Sequence, residues 1–482
     1  MNKSLRKVFE IYVFAYAFLF ASRPLSDPDF WFHLKTGQYL FQHHGIPRTE
    51  LFSFTNFGRP WVAHGWLSGA IFYAIYSRLG LSALVFLFAL LTTLAFWIAF
   101  KRSNSHVFIG GFCALLGVWT VLTTIGVRPR VFTLLFASIY LALLNRYAQR
   151  GKGIYAIWWL VPLMTLWANL HGGFLIGLAL IILTIVGLIL DGLGKQDMRA
   201  LLRRARTLIM VLIACSVAVL ANPFGLRLYT FPISVLMSPV FQSAIVDWVS
   251  PNFHEPELFP LALLILLTIT ALVLSPKRPK PSELLFFLAT FYSTLRTQRN
   301  LSILALVAVP ILADHLHSWL TSTRFGRIFD KPAAQGSNYR ALGLSLLLLL
   351  PLGMFASKLK STVYVFPKQQ VLDAPLNAVT YLKENEIWGN TFTYPNIWGA
   401  YVLWALQLNP VYIDGRDVYP EEFVKEYLGM VSGSADWREP FERYGVRIVI
   451  VKPKAILARE IGESPDWQQI FSDDFAVVFR RR

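Results

Sequence analysis

The sequence predicts a polytopic α-helical membrane protein of about 11 spans, followed by a small C-terminal extracytoplasmic α/β domain. Three observations carry that prediction. Of 482 residues, 55% are hydrophobic and 15% charged, and the mean hydropathy is +0.49, above the usual soluble range. Apolar runs recur through the chain as far as about residue 357. From about residue 358 the composition turns mixed and moderately charged, over a length that suits a small domain. The predicted division is therefore 1–357, membrane domain, and 358–482, outer domain.

The apolar runs lie at 8–22, 82–100, 107–126, 131–147, 154–168, 172–190, 207–221, 258–274, 283–295, 300–313 and 341–357. Several are shorter than the ~20 residues a straight span needs, as helices walled in by neighbours can be. The first run follows Lys3, Arg6 and Lys7 and lacks a small-x-small cleavage site, so it reads as an uncleaved helix with a cytoplasmic N-terminus. The segment 66–79, "WLSGAIFYAIYSRL", is short and bounded by Arg78 and Gly80. It reads as an interfacial helix within an outer loop, 26–81.

Charge supports this topology. Eleven spans place 20 Lys and Arg on the inner side and 10 in the outer loops before the tail. Counting 66–79 as a span would reverse the bias of every later loop. The net charge of +17 thus belongs to cytoplasmic loops of a plasma (inner) membrane protein, and no nucleic-acid partner is expected. Cys113 and Cys215 both lie in apolar runs and form no disulfide framework. The stretch 322–340 reads as a cytoplasmic linker. In the tail, "APLNAVTYLKEN" and "EEFVKEYLGMV" read as helices. "NPVYIDGR", "VRIVIVKP" and "FAVVFRR" read as strands, the first ending in a turn.

Ionisable groups near membrane depth are costly, which makes them functional candidates. Asp27 and Asp29 flank Pro28 at the outer end of the first span. Proline ends a helix there and projects both acids into the loop, and that neighbour gives Asp27 slightly more weight. Six of the nine histidines fall on the outer side: His33, His43, His44, His64, His171 and His254. For any single one, ordinary interfacial packing is the commoner role. "VRPRV" carries Arg128 and Arg130, "WANLHGGF" carries Asn169 and His171, and "RTQRN" carries Arg296 and Arg299. Outer arginines run against the charge bias. Each is either a headgroup anchor or a phosphate ligand, since guanidinium binds phosphate bidentately. Arg296 and Arg299 are three apart, which on a helix end predicts a shared face, with one of them in the same cavity as Asp27 and Asp29. Carboxylates to accept a proton and arginines to stabilise a departing phosphate suit group transfer from a lipid phosphate.

"DPDFWFHLKTGQYLFQHHGIP", followed by "GRPWVAHGWLSGAIFYAI", resembles the first extracytoplasmic loop of GT-C glycosyltransferases: protein O-mannosyltransferases, aminoarabinose transferases and the oligosaccharyltransferase catalytic subunit. The closer match is to uncharacterised bacterial members. The tail segment "YPNIWGAYVLWALQLNPVYIDGR" resembles the aromatic-rich motif opening the oligosaccharyltransferase soluble domain. The resemblance implies a GT-C-like fold and sugar transfer from a polyprenyl-phosphate or diphosphate carrier to a glycan, lipid or protein acceptor on the outer face. It implies Asp27 and Asp29 as catalytic residues; by their chemistry and placement, Arg296, Arg299, Arg128 and Arg130 are the candidates for the donor phosphate, and His33, His64, Asn169 and His171 for the substrate.

Two departures from the family pattern stand out. After Trp398 come Gly399, Ala400 and Tyr401, where the aromatic motif carries an acid. "GVRPRV" lacks the second acidic motif of metal-dependent members, and Asp247, Glu255 and Glu257 in the 222–257 loop are its outer substitutes. A divalent metal would rest on Asp27, Asp29 and His33. Neither a Rossmann glycine pattern nor a Walker loop occurs, which favours a lipid-linked donor over a cytosolic nucleotide sugar. Two other functions fit the composition: a transporter or flippase of lipid-linked glycans, and a non-catalytic assembly protein.

Overall fold

A computed structural model describes residues 3–25, 27–150, 153–193, 198–230, 237–238, 248–323, 357, 360, 374–416 and 418–482. The chain divides into two compact units. One comprises Met1–Pro24, Ser82–Gly225 and Ile245–Lys368, and the other Leu25–Leu81, Leu226–Ala244 and Gln369–Arg482. This division differs from a boundary at 357/358, because Leu25–Leu81 groups with the tail. The loop has too few strands to close a core of its own, and the tail supplies the rest.

The helical unit begins with α1 (Lys3–Ala21). α2 (Asp29–His43) belongs to the other unit. α3 (Trp66–Arg102) is broken at Gly80, whose φ of 75° and ψ of −177° leave helical space. Only glycine adopts that conformation readily, so 66–79 is a helix distinct from the span that follows. Next come α4 (Val107–Val121), α5 (Arg130–Arg150), α6 (Leu160–Leu170), α7 (Phe174–Gly192) and α8 (Met198–Ala218). α9 (Phe259–Leu274), α10 (Pro281–Arg296) and α11 (Leu301–Ser322) complete the described bundle. Among the described residues, six helical stretches are long and apolar enough to cross a membrane. The helices at 107–121 and 156–170 are apolar but shorter. Helices therefore occupy ten of the eleven predicted runs, whereas the run at 341–357 falls almost wholly outside the described residues, as does the linker from 324 onward.

α11 is the central helix, with every residue from Leu301 to Ala313 buried. It carries Pro310 in its interior, which packed membrane helices tolerate. α7 shows the opposite pattern. Ile182, Val186, Ile189 and Leu193 stand exposed at helical spacing, the apolar stripe a lipid-facing helix presents.

The other unit is built around a four-stranded sheet. Its elements are α12 (Leu376–Glu384), β1 (Thr391–Tyr394), α13 (Trp398–Ala405), α14 (Glu421–Ser432), α15 (Arg438–Arg443), β2 (Ile448–Val451), α16 (Ile456–Gly462), β3 (Trp467–Ser472) and β4 (Val477–Arg481). The strand order is β1-β2-β4-β3. β1 runs parallel to β2, and β4 pairs antiparallel with β2 and β3. All four residues of β2 are buried, as its uninterrupted β-branched sequence predicts for a central strand. Phe392, Tyr412, Phe441 and Trp467 fill the core beside the sheet. α14 starts after Pro420 with Glu421 and Glu422 in its first turn and stops at Gly433, φ 73°, a start and stop legible in sequence.

"NPVYIDGR" is not a strand. Val411 forms single bridges to Ser53 and to Thr391, and the chain then turns, with the Arg416 amide donating to Asp414 Oδ1 at 3.1 Å. Pro410 lacks a donor and the Asp414 side chain competes for backbone amides, so a ladder cannot extend.

Within this unit α2 crosses the 66–79 helix at a pair of glycines. A Cβ at Gly37 would stand 2.1 Å from the Gly69 carbonyl oxygen, and one at Gly69 would stand 2.7 Å from the His33 carbonyl oxygen. Only glycine at both positions permits so close an approach.

Candidate functional site

The first cluster lies in the sheet-containing unit. Asp27 is 7% exposed and its Oδ1 accepts the Asp29 amide at 3.2 Å. The first turn of α2 is further closed by the Phe30 amide donating to the Asp27 carbonyl. Asp29 is half-buried on that first turn. Opposite it stands Gly415, where a Cβ would lie 3.0 Å from Asp29 Oδ1. The tail's "IDGR" thus forms a wall against the acid that follows the first span.

Arg416, next to that glycine, is the centre of a buried ion triad. Its Nη1 lies 2.7 Å from Glu50 Oε2, and its Nη2 donates to Glu50 Oε1 at 2.8 Å. Its Nε and Nη2 donate to Asp414 Oδ2 at 2.9 and 2.7 Å. Phe52 and Trp61 cover the guanidinium, with ring centres 5.1 and 4.8 Å away. Glu50 Oε1 also accepts the Phe52 and Ser53 amides at 2.7 and 2.8 Å. Burial alone would lower the Arg416 pKa, but the Asp414 and Glu50 carboxylates outweigh it and hold it well above the usual value. The cation is permanent and is paired with both carboxylates.

His33, one turn after Asp29 on α2, is partly buried. Burial first, then the nearby charges of His64 and Arg416, push its pKa down to about 3. It is a neutral imidazole at physiological pH. His33 thus lies close to both His64 and Arg416. Among the described residues no three His, Cys, Asp or Glu side chains converge to hold a metal ion. Asp27, Asp29 and His33 do not form such a set.

The aromatic motif packs on the same helix. Tyr401 of α13 meets Trp31 of α2 edge-on at 5.2 Å. Trp398 stacks on Phe475 at 5.3 Å, and Gly399 closes on the Ile413 carbonyl oxygen, where a Cβ would stand 2.1 Å away. The motif fixes "IDGR" in place.

The second cluster lies in the helical unit, where α6 meets α7 and α10 meets α11. His171 is 8% exposed. Its Nδ1 is 2.8 Å from Thr133 Oγ1 and accepts the Gly173 amide at 3.1 Å. Thr133 Oγ1 in turn accepts Trp167 Nε1–H at 2.9 Å. That network makes Nδ1 an acceptor and so assigns the ring proton to Nε2. Arg299 Nη2 stands 3.5 Å from Nε2. The imidazole and the guanidinium thus stand side by side at this end of the unit. The Trp248 ring, 4.9 Å from the Arg299 guanidinium carbon, holds Arg299 by cation–π contact. Gly173 is required, because a Cβ would lie 2.4 Å from Thr133 Oγ1.

Other predicted residues have distinct places. Asn169 is buried and its Oδ1 accepts Asn222 Nδ2 at 3.1 Å, which makes it a brace between α6 and the turn after α8. Arg130 opens α5 one turn before Thr133. Arg128 stands close enough to Arg23 that burial and then its charge lower the Arg23 pKa. Arg296 and Arg299 do not share a helix face. α10 ends at Arg296, Thr297 is extended, and Arg299 sits in a separate 3-10 turn. Arg296 is exposed and Arg299 is half-buried. His43, His44 and His254 are exposed, as are Glu255 and Glu257, and Asp247 lies outside the described residues. Sequence reading missed Glu50, Asp414 and Arg416. The "DGR" turn signal was visible, but not a carboxylate partner 366 residues away.

This architecture is that of the GT-C glycosyltransferases, which are its solved structural neighbours. The oligosaccharyltransferase of Archaeoglobus fulgidus matches with a TM-score of 0.59 at 12% identity, over 93% of this chain and 70% of that one. ArnT from Cupriavidus metallidurans, solved bound to undecaprenyl phosphate, matches with a TM-score of 0.51 at 14% identity, over 99% and 97%. The mycobacterial arabinofuranosyltransferase AftD matches with a TM-score of 0.52 at 14% identity, over 100% of this chain and 42% of its own. At such identities the likeness establishes the fold. No protein-family model matches the sequence, and no curated protein does.

Proposed function

We propose that this protein transfers a sugar from a polyprenyl-phosphate or diphosphate carrier to an acceptor on the extracytoplasmic face of the membrane. The observation that carries the reading is the placing of a guanidinium, Arg299, beside the imidazole of His171, with Thr133, Gly173 and Trp248 packed against the two. A guanidinium held in place beside an imidazole suits the charge that develops on a departing phosphate. Neighbours of this fold have been solved with undecaprenyl phosphate and with dolichol phosphate, which supports a carrier of that chemistry.

In the proposed reaction Asp29 accepts the proton of an acceptor hydroxyl or amine. The freed lone pair attacks the anomeric carbon, and the bond from that carbon to the phosphate oxygen breaks. The carrier phosphate leaves with the electron pair, stabilised by Arg299 and His171, with Arg128 and Arg130 adding positive potential. The accessibility of Asp29 favours it over Asp27 as the base. Asp27 is buried and holds the Asp29 amide, so it acts by fixing the first turn of α2. The outer loop and the tail face the extracytoplasmic side in this reading.

Incubation of the purified protein with polyprenyl-phosphate sugars, reading transfer or hydrolysis, tests the reading. Asp29→Asn is expected to lower turnover about 10²–10⁴-fold, and Arg299→Lys to lower it as well, because the planar fork is lost. Full activity in both variants would overturn the assignment. Labelling of a cysteine at Gln196, but not at Gln42, by an impermeant reagent in intact cells would overturn the orientation.

A further inference from the structure

A second charged site lies within the helical unit, at the end opposite His171 and Arg299. There the C-termini of α3 and α7 meet the N-termini of α8 and α10 around a cavity of about 370 Å³. Four cations line it, Arg102, Arg204, Lys277 and Lys280, with three carboxylates, Asp191, Glu283 and Asp314.

The carboxylates already have work within the fold. Asp191 accepts the Ser282 amide at 2.9 Å and its hydroxyl at 2.6 Å, capping α10. Glu283 accepts the Lys280 amide at 2.9 Å and lies 3.5 Å from His315 Nε2. Asp314 accepts the Asn104 amide at 2.7 Å and the Ser103 hydroxyl at 3.0 Å, and stands 3.7 Å from Lys277. The cations are less committed. Arg204 donates only Nη1, to the Ala148 carbonyl at 3.2 Å, among the described hydrogen bonds. Arg102 donates Nη1 to the Leu306 carbonyl at 3.0 Å, and its buried Nε has no hydrogen-bond partner among the described residues. A buried donor left without a partner is costly, and an anion would supply what is missing. Beside the charges the wall is apolar, formed by Leu144, Leu188, Leu201, Phe286 and Ile311. A free inorganic ion would leave that wall in contact with water.

We propose that this cavity binds the phosphate group of an anionic membrane lipid, with Arg102, Arg204 and Lys280 on the phosphate oxygens and the apolar wall against the lipid's glycerol and first methylenes. The site is separate from the His171–Arg299 pair and does not depend on the sugar-transfer reading. The charge count gives the sign of the ligand, and the apolar wall makes it an amphiphile.

The test uses the purified full-length protein, stripped of lipid and offered phosphatidylglycerol, phosphatidylcholine or inorganic phosphate, with bound lipid read by native mass spectrometry. Phosphatidylglycerol is expected to be retained in preference to phosphatidylcholine. Arg204→Gln and Lys280→Gln are each expected to weaken that retention by roughly tenfold. Arg203→Gln, the exposed neighbour on α8, should leave it unchanged. Lys280 is exposed, so its variant reports binding even where an Arg204 variant fails to fold. Equal retention of both lipids, or unchanged retention in Lys280→Gln, would overturn the proposal. So would inorganic phosphate raising the thermal unfolding midpoint as much as phosphatidylglycerol does.

Discussion

The Arg416 triad and the charged cavity of the helical unit use the same residue types to opposite ends. In the triad one guanidinium meets two carboxylates, and all three residues are 6% exposed or less. In the cavity three carboxylates cap helices or loops, and guanidinium donors are left over. What separates them is where the acids find their donors. An acid that meets a buried arginine fixes the fold and leaves no charge to offer. An acid that meets a helix N-terminus releases the nearby cation for a ligand.

The largest effect that would break this comparison comes from truncating each arginine. Arg416→Ala leaves Glu50 and Asp414 buried without their cation, and breaking such a pair typically costs about 3–5 kcal/mol. Arg102→Ala strands no acid whose partners are lost, and is expected to cost about 1 kcal/mol, mostly for the bond to the Leu306 carbonyl. Denaturant unfolding of the two variants decides it, and equal losses would erase the distinction.

A smaller effect sharpens the boundary between fold and chemistry. Gly415→Ala puts a methyl group 3.0 Å from Asp29 Oδ1 beside an intact triad. Turnover should fall by roughly tenfold through misplacement of the acid, while the unfolding midpoint barely moves. If stability falls as far as it does in Arg416→Ala, Gly415 belongs to the triad and not to the acid.

A third effect follows from His33. With its folded pKa pushed down to about 3 and an unfolded value near 6.5, the unfolded chain binds the extra proton between those limits. Stability therefore falls as pH drops below about 6.5 and stops falling near 3. His33→Gln should flatten that part of the pH–stability profile. An unchanged slope would show that the imidazole is not held neutral.

The smallest effect separates the two arginines of "RTQRN". Arg296→Gln should change turnover far less than Arg299→Gln, since only Arg299 reaches His171. Equal losses would place both at the phosphate.

Much of the fold was legible because periodicity and composition are local. The ten apolar runs that prove helical, the buried strand "VRIVIVKP" and the helix closed by Gly433 were all visible as patterns. β1, "TFTY", and β3, "WQQIFS", were not: β1 alternates but is only four residues long, and in β3 the adjacent Gln468 and Gln469 interrupt the strand period. Asp27, Asp29 and His171 could be singled out by chemical type. The partner that makes each meaningful could not, since Gly415, Thr133 and Trp248 are brought in by tertiary packing. The shared face of Arg296 and Arg299 failed for a local reason: the helix stops between them.

The pairing of Glu50 with Arg416 spans 366 residues, and so has a consequence for biosynthesis. At roughly 5–20 residues per second, the ribosome needs on the order of 20–70 s to travel from one to the other. Throughout that interval the segment around Glu50 exists without the arginine that closes it. Its carboxylate and the aromatic rings of Phe52 and Trp61 must remain hydrated, or be shielded by a chaperone, while the membrane helices between them are inserted. The unit that holds Asp29 is thus completed only after nearly all of the bundle has been made.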